Sequence, residues 1–502
     1  MFYLLVVIGA ILLCVYCVLQ RCNRNWKMLR EYPGDYRLPI IGNGLQLGFD
    51  SEKSSDKIFK LWKKHGMKNF RMTVGSEEWL LVTNPDDVAT ILNHPTQLCK
   101  QVERNTGMQP LFGNSLSTSE GERWRLIRKL LTPSFHFKTL EKKIDTVNEH
   151  CDRLFELLDE EDRIDAYKYL KAFMLDTVCS SLMGVDMKFL DSIDHPYFEA
   201  GDTAMKIITE NYFSYWRSLP CLITFTKLYK ETQRIAKILD AMSNDVISQR
   251  RKKIQKLIEY AENNKNHVME HDVLTGKECL LDRLILSKLY CGVTLTEDII
   301  SEEVKLVCWT GHHTTGLALS HALYFIAKFP EVQHKVLQEQ KLIFGNDRFK
   351  KPNHKEINEM KYLEAVIKES IRVLPAITKI SRHLKNDLQL KDGRVVPANT
   401  TVVIFFKGMY QDPKLFTEPE KYNPDRFFSP IHNYAFVPFS SGPRNCIGFR
   451  FAWAAMKGLI SNIIRRYEFS LAGPGTEPQF VYRLMTESSN GIQLNIKRRV
   501  YS

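Results

Sequence analysis

The strongest constraint in this chain is one long helical stretch whose apolar ends enclose a polar middle. Thr294-Leu-Thr-Glu297 reads as a capping box, and helical periodicity then runs to Phe329, where Pro330 stops it. Those 36 residues would span about 54 Å, enough to cross a whole domain. LVCW before the centre and LALSHALYFIA after it suit burial. Between them, Thr310-Gly-His-His-Thr-Thr315 places a glycine and five polar residues where a core helix carries Leu or Ala. Two accounts fit: a buried kink whose Thr hydroxyls bond back to the preceding turn, or a pocket wall that admits water or ligand. The helix alone does not choose between them.

The surroundings match such a helix. Periodicity of the helical kind dominates from Gly121 to Pro330, and strand-like runs are short: FRMTV and EWLLVT early, Thr401 to Phe406 and Gly491 to Ile496 late. The expected fold is mainly α with small peripheral β-sheets. A chain of 502 residues buries a core thick enough to hide a cofactor. Its formal charge of +12 would suit an anionic partner, but aromatics are not interleaved with basic runs, so no nucleic-acid partner is expected. The eleven cysteines are odd in number and scattered. Apart from Cys14 and Cys17 none forms a C-x-x-C pair, which reads as a reducing compartment with mostly inert thiols.

Residues 1–20 read as a transmembrane signal-anchor. Phe2 to Leu19 is an uncharged run of eighteen residues, about 27 Å as a helix. A cleaved signal peptide competes, but no basic n-region precedes the run and no small-residue cleavage site follows it. Arg21, Arg24, Lys27 and Arg30 come next and would hold that flank in the cytosol. Residues 21–44 read as a basic, Pro/Gly-rich linker and residues 45–502 as the catalytic domain.

Near the C-terminus stands Phe439-Ser-Ser-Gly442-Pro-Arg444-Asn-Cys446-Ile-Gly448. Glycines let the backbone turn tightly around the sulfur, and amide donors with a nearby cation favour thiolate over thiol. An electron-rich thiolate behind an iron helps break an O–O bond on its far side. Taken alone, a cysteine among glycines is most often structural.

The spacing F-x-x-G-x-R-x-C-x-G resembles the haem-binding signature of cytochrome P-450 monooxygenases at every fixed position. Three further segments agree in order: Trp124-Arg-Leu-Ile-Arg128 with the family's W-x-x-x-R, Glu369-Ser-Ile-Arg372 with its E-x-x-R, and Pro424-Asp-Arg426-Phe427 with its P-x-R-F. The resemblance implies haem b held non-covalently by an axial Cys446 thiolate, with Phe439 and Gly442 shaping the loop. It implies that Arg128, Arg382, Arg444 and the Trp124 indole meet the propionates, and that Glu369, Arg372 and Arg426 form a buried ionic triad. Taken singly, an E-x-x-R is most often an exposed pair worth tenths of a kcal/mol.

On the same resemblance the long helix becomes the distal wall, and Thr314 aligns with the family threonine that helps deliver protons. SEGERWRLIRKLLTPSFHF and KYLEAVIKESIRVLP look like the family-four clan, especially its insect branches. Thr310 stands where such enzymes often carry a glutamate that esterifies haem. His313 replaces the acidic residue before the distal threonine; its imidazole either relays protons or fills space. The expected substrate contacts are Met108, Phe112, Val307, Thr310, Ile377 and Met485, and the aromatic residues 211–225 fit either a membrane-dipping entrance or ordinary core packing.

The function expected is insertion of one oxygen atom from O2 into a lipophilic substrate such as a fatty acid, hormone, odorant or xenobiotic. Electrons would come from NADPH through the membrane-bound cytochrome P-450 reductase, with cytochrome b5 as a second donor, at the endoplasmic reticulum membrane. Arg123, Arg125, Lys129, Lys138, Lys142 and Lys143 would form the basic docking face. A haem-thiolate isomerase or dehydratase, a non-catalytic haem-binding protein and a lipid carrier are the rivals.

Overall fold

The long helix is continuous from Glu297 to Lys328 in the computed structural model, which describes residue 3 and residues 23–500 apart from 40, 49, 76, 101–106, 214–225 and 264–277. The proposed anchor and most of the 211–225 entrance therefore lie outside the described residues. Among the described residues, no helix is long and apolar enough to cross a membrane.

Thr296, not Thr294, caps the long helix, because only its hydroxyl is placed to accept the Ile299 amide proton at 3.4 Å. The polar centre does not break it. The Thr310 hydroxyl donates to the Leu306 carbonyl at 2.7 Å and the Thr314 hydroxyl to the Thr310 carbonyl at 2.8 Å, so both satisfy themselves within the helix. The glycine has another cause. A Cβ on Gly311 would come 2.9 Å from Val178 Cγ2, and Val178 ends the helix Ala166–Val178 that packs along this face. Glycine is there to let two helices approach, not to loosen one.

Lys227–Asn263, Lys361–Val373 and Phe449–Arg466 also pack against this helix, Phe137–Leu158 packs in turn on Phe449–Arg466, and their apolar faces join one large core. The main sheet has four strands in the order Phe70–Val74, Glu77–Val82, Thr401–Ile404, Ile380–His383. Only the central pair is parallel, with Trp79 opposite Thr401. Leu80, Val82, Val402 and Ile404 face one apolar cluster, while Trp79, Leu81 and Val403 face another. Burial on both faces explains why EWLLV and TVVI read as nearly unbroken apolar runs.

The stretch read as a linker is not free. Residues Arg24–Leu29 form a helix, Leu29 and Tyr32 are buried in the cluster under the sheet, and the Asn25 amide donates to the Ala398 carbonyl at 2.6 Å. The basic spacing concealed two core residues, so the folded domain begins well before residue 45.

Candidate active site

The cysteine segment is a loop fastened at both ends. The Cys446 amide donates to the Phe439 carbonyl at 2.9 Å, and the Asn445 amide to the Gly442 carbonyl at 3.1 Å. Gly442 sits at φ +70, where a Cβ would overlap the Leu92 carbonyl. Gly448 then caps the helix Phe449–Arg466. Cys446 has exposed surface although dense protein surrounds it, because that surface is the wall of an internal cavity.

Burial pushes the Cys446 thiol above its ordinary value, and the Gly448 amide, Arg128 and Lys100 act against that shift. The sequence pointed to amides and to Arg444 as the factors favouring thiolate; the cations that matter are Arg128 and Lys100, and in the bare chain burial outweighs them. A metal at the sulfur would reverse that balance, since a coordinated thiol is deprotonated.

The cavity is about 320 Å³. Cys446 and Phe439 line one side, and Val307, Thr310, Gly311 and Thr314 of the long helix also line it. Trp124, Arg128, Arg382 and Arg444 belong to its wall as well. Arg444 lies over the Trp124 ring at 4.7 Å and donates to the Ser119 carbonyl at 3.0 Å. Arg128 reaches Asn445 twice, its Nη1 to the carbonyl at 2.9 Å and its Nη2 to Oδ1 at 2.6 Å. Arg382 is buried on its strand and donates to the Ser381 carbonyl at 2.8 Å. One soft sulfur and three guanidiniums around an apolar cavity fit a metal-bearing group with carboxylates, which is the chemistry of haem.

Glu369 pairs with Arg372 at 2.7 Å and with Arg426 at 3.1 Å. Glu369 and Arg372 are fully buried, so the alternative of an exposed pair does not apply.

Other expected residues lie elsewhere. Ile377, like Val307 and Thr310, lines the cavity, whereas Met108, Phe112 and Met485 are not among its lining residues. Phe112 packs its ring 4.7 Å from Trp309, and Met485 bridges to Ile377 from behind. His313 also stands off the cavity. It is fully buried, stacks on Trp309 and places Nε2 3.0 Å from Glu487 Oε1. That partner is far away in the chain and carried no signal in the sequence. Lys143, expected on a basic face, is buried and donates to the Ser134 carbonyl at 2.7 Å. Arg123 is partly buried and pairs with Glu302 at 2.5 Å, while Lys129 and Lys142 are exposed.

A cysteine and a threonine-bearing helix on one cavity, whose wall also carries three arginines, fit a haem-thiolate protein. The family model for Cytochrome P450 matches residues 32–495, and the chain belongs to that family. Within it the relatives are of family 4. The chain is 33% identical over 448 residues to "Probable cytochrome P450 4s3" of Drosophila melanogaster, covering 88% of this chain and 87% of that one. It is 30% identical over 504 residues to "Cytochrome P450 4c3" of Drosophila melanogaster, covering 98% and 94%. It is 31% identical over 437 residues to "Cytochrome P450 4e5, mitochondrial" of Drosophila mettleri, covering 86% and 82%. The chain is thus a haem-thiolate monooxygenase whose cofactor is haem b on a cysteine thiolate.

Proposed function

We propose that this enzyme inserts one atom of O2 into a lipophilic substrate of the fatty-acid, hormone, odorant or xenobiotic kind. NADPH-cytochrome P-450 reductase supplies the electrons, with cytochrome b5 as a second donor, and residues 1–20 hold the chain in the endoplasmic reticulum membrane. The observation that carries this reading is the placement of Cys446 and Thr314 on one apolar cavity. Haem b, when bound, supplies the activation of oxygen. Cys446 would hold its iron, and Arg128, Arg382, Arg444 and the Trp124 indole, all on the same cavity wall, would hold its carboxylates.

The residues of the chain do the rest. Val307, Thr310 and Ile377 orient the substrate, and their apolar neighbours keep water out. The Thr314 hydroxyl, which lends its proton to the Thr310 carbonyl at 2.8 Å, hands protons into the cavity when it rotates. Thr310 carries no carboxylate, so the haem stays non-covalent. Exposed Arg125, Lys129 and Lys142, on or after the Trp124 helix, steer an acidic donor protein.

The test is the spectrum of the reduced, carbon-monoxide-bound full-length chain, followed by reductant-dependent oxygenation. A thiolate-type Soret band in the wild type, lost in Cys446→Ser, is the expected result; an unchanged band in the variant refutes the assignment. Product formed without reductase would favour an isomerase or dehydratase. Fractionation of cells expressing the full chain decides between the reticulum and the location in the name of the Drosophila mettleri relative.

A further inference from the structure

The cavity wall at Pro375, Ala376 and Ile377 is held from behind by the last hairpin, Phe480–Tyr482 with Thr486–Ser488. The Thr378 amide donates to the Leu484 carbonyl at 3.0 Å, and the Thr486 amide to the Ala376 carbonyl at 3.2 Å. Two hydroxyls tighten the seam: Thr378 Oγ1 donates to the Arg483 carbonyl at 2.9 Å and Thr486 Oγ1 to the Pro375 carbonyl at 2.7 Å. Whatever fixes the hairpin therefore fixes that wall.

What fixes it is charged and buried. Glu487 takes His313 on one oxygen, at 3.0 Å, and Arg483 on the other. Arg483 also pairs with Glu52 of the helix Ser51–Lys64. On the far side of the imidazole, His313 Nδ1 faces Asp202 at 3.8 Å, the Tyr167 hydroxyl lies 3.4 Å from the ring, and Lys171 holds Asp202 at 2.8 Å. The Trp309 ring, 5.4 Å away and nearly parallel, fixes the plane of the imidazole. The long helix, the hairpin and the helix Ser51–Lys64 are thus joined by one chain of hydrogen bonds and ion pairs.

Two other roles fit less well. Ligand atoms of Asp202, His313 and Glu487 lie within 4.8 Å of one another, a spacing a cation could use. Yet Lys171 and Arg483 already neutralise the two carboxylates, and the two ring nitrogens face different acids. A proton relay would need His313 on the cavity, and it is not among the lining residues.

We infer that His313 is a positioning residue: through Glu487 it holds the 375–378 wall at a set distance from the long helix, and so decides how bulky a lipophilic ligand the site accepts. Removing either partner leaves the other buried without its bond, and the seam beside it loses its anchor. The inference rests on the monooxygenase reading only in its ligand arm.

The experiment uses the full-length holoprotein as wild type, His313→Ala, His313→Gln, Glu487→Leu and the His313→Ala/Glu487→Leu double variant. Amide hydrogen exchange is followed at 376–378 and 484–486, with 369–372 as internal reference. His313→Ala and Glu487→Leu are each expected to speed exchange about tenfold in the two seam segments and leave the reference unchanged. The ratio of dissociation constants for 4-phenylimidazole and imidazole, read from the Soret shift, should move by about threefold in each, with no further change in the double variant. His313→Gln, which keeps an N–H donor, should restore both readouts, and it carries the comparison with Glu487→Leu if the alanine variant fails to fold.

Unchanged seam exchange overturns the inference. So do effects that add in the double variant, exchange that rises equally at 369–372, or stabilisation of the wild type alone by added Zn2+. Failure of the wild type to give the thiolate spectrum would sink the monooxygenase reading instead, and the exchange arm would still decide this one.

Discussion

Arg372 holds Glu369 at two points in full burial, Nε to Oε2 at 2.7 Å and Nη2 to Oε1 at 2.8 Å. Arg426 Nε adds a bond to Oε1 at 3.1 Å, and the Asn423 amide another at 2.8 Å. Arg372 Nη1 meanwhile donates to the carbonyls of Tyr410 and Pro419, each at 2.8 Å. One carboxylate thereby pins the helix Lys361–Val373 to the chain that leads into the cysteine loop.

Glu369→Gln should cost about 3–5 kcal/mol, because it leaves a buried guanidinium without its counter-charge. Arg372→Lys should be nearly as damaging, since an ammonium cannot span both oxygens and the carbonyls beyond. Urea unfolding of the holoprotein measures both; a midpoint for Glu369→Gln equal to wild type would show that the cluster contributes nothing.

At Gly442 the constraint is backbone rather than charge. Gly442→Ala forces a side chain into φ +70 and against the Leu92 carbonyl, at a cost of about 1–3 kcal/mol before any clash is counted. Since the loop carries Cys446, haem retention after gel filtration should fall along with stability. Full retention at unchanged stability would mean the loop relaxes freely.

Glu303 should give the protein a pH-dependent stability. Its Oε2 accepts the Leu116 amide proton at 3.1 Å, it is fully buried, and burial pushes its carboxyl from 4.5 up to about 8. Between those values the folded state keeps a proton that the unfolded state has lost. The contribution is therefore complete below pH 4.5, declines as pH rises, and is lost above about 8, with a slope approaching about 1.4 kcal/mol per pH unit. Glu303→Gln keeps an acceptor for Leu116 and removes the titration. The stability of wild type minus that of the variant should fall from pH 5 towards about 8; a flat or rising difference contradicts the assignment.

The contact of Gly311 with Val178 makes a prediction of opposite signs. In the wild-type background, Gly311→Ala places a Cβ 2.9 Å from Val178 Cγ2 and should cost about 1–3 kcal/mol through overpacking, less the helix gain. In a Val178→Ala background the obstacle is gone, and the same change should stabilise by up to about 1 kcal/mol through helix propensity. A double-mutant cycle by urea unfolding reads the coupling, and strict additivity would refute it.

The helices, the short strands and the cysteine loop were legible because each rests on local patterns: periodicity, capping side chains and glycine at a turn. Glu369 with Arg372 and Arg426 could be paired only through the order of motifs along the chain. Met108, Phe112 and Met485 show the limit of that approach. All are apolar, but apolarity does not say whether a side chain meets the cavity or packs behind its wall. The burial of Lys143, and of Leu29 and Tyr32 within the basic 21–44 stretch, was hidden for the same reason, since a cation or a basic run gives no view of the apolar surface beside it.

Legible in the sequence were the class of chemistry, through the order of its motifs, and the helical frame, because side-chain type and spacing along the backbone suffice for each. Only the tertiary structure decided that Gly311 meets Val178 of a neighbouring helix, that His313 turns to Glu487 rather than into the cavity, and that Glu303 is buried. Each of these depends on which distant segment arrives beside the residue, and burial then sets the energy of what it meets.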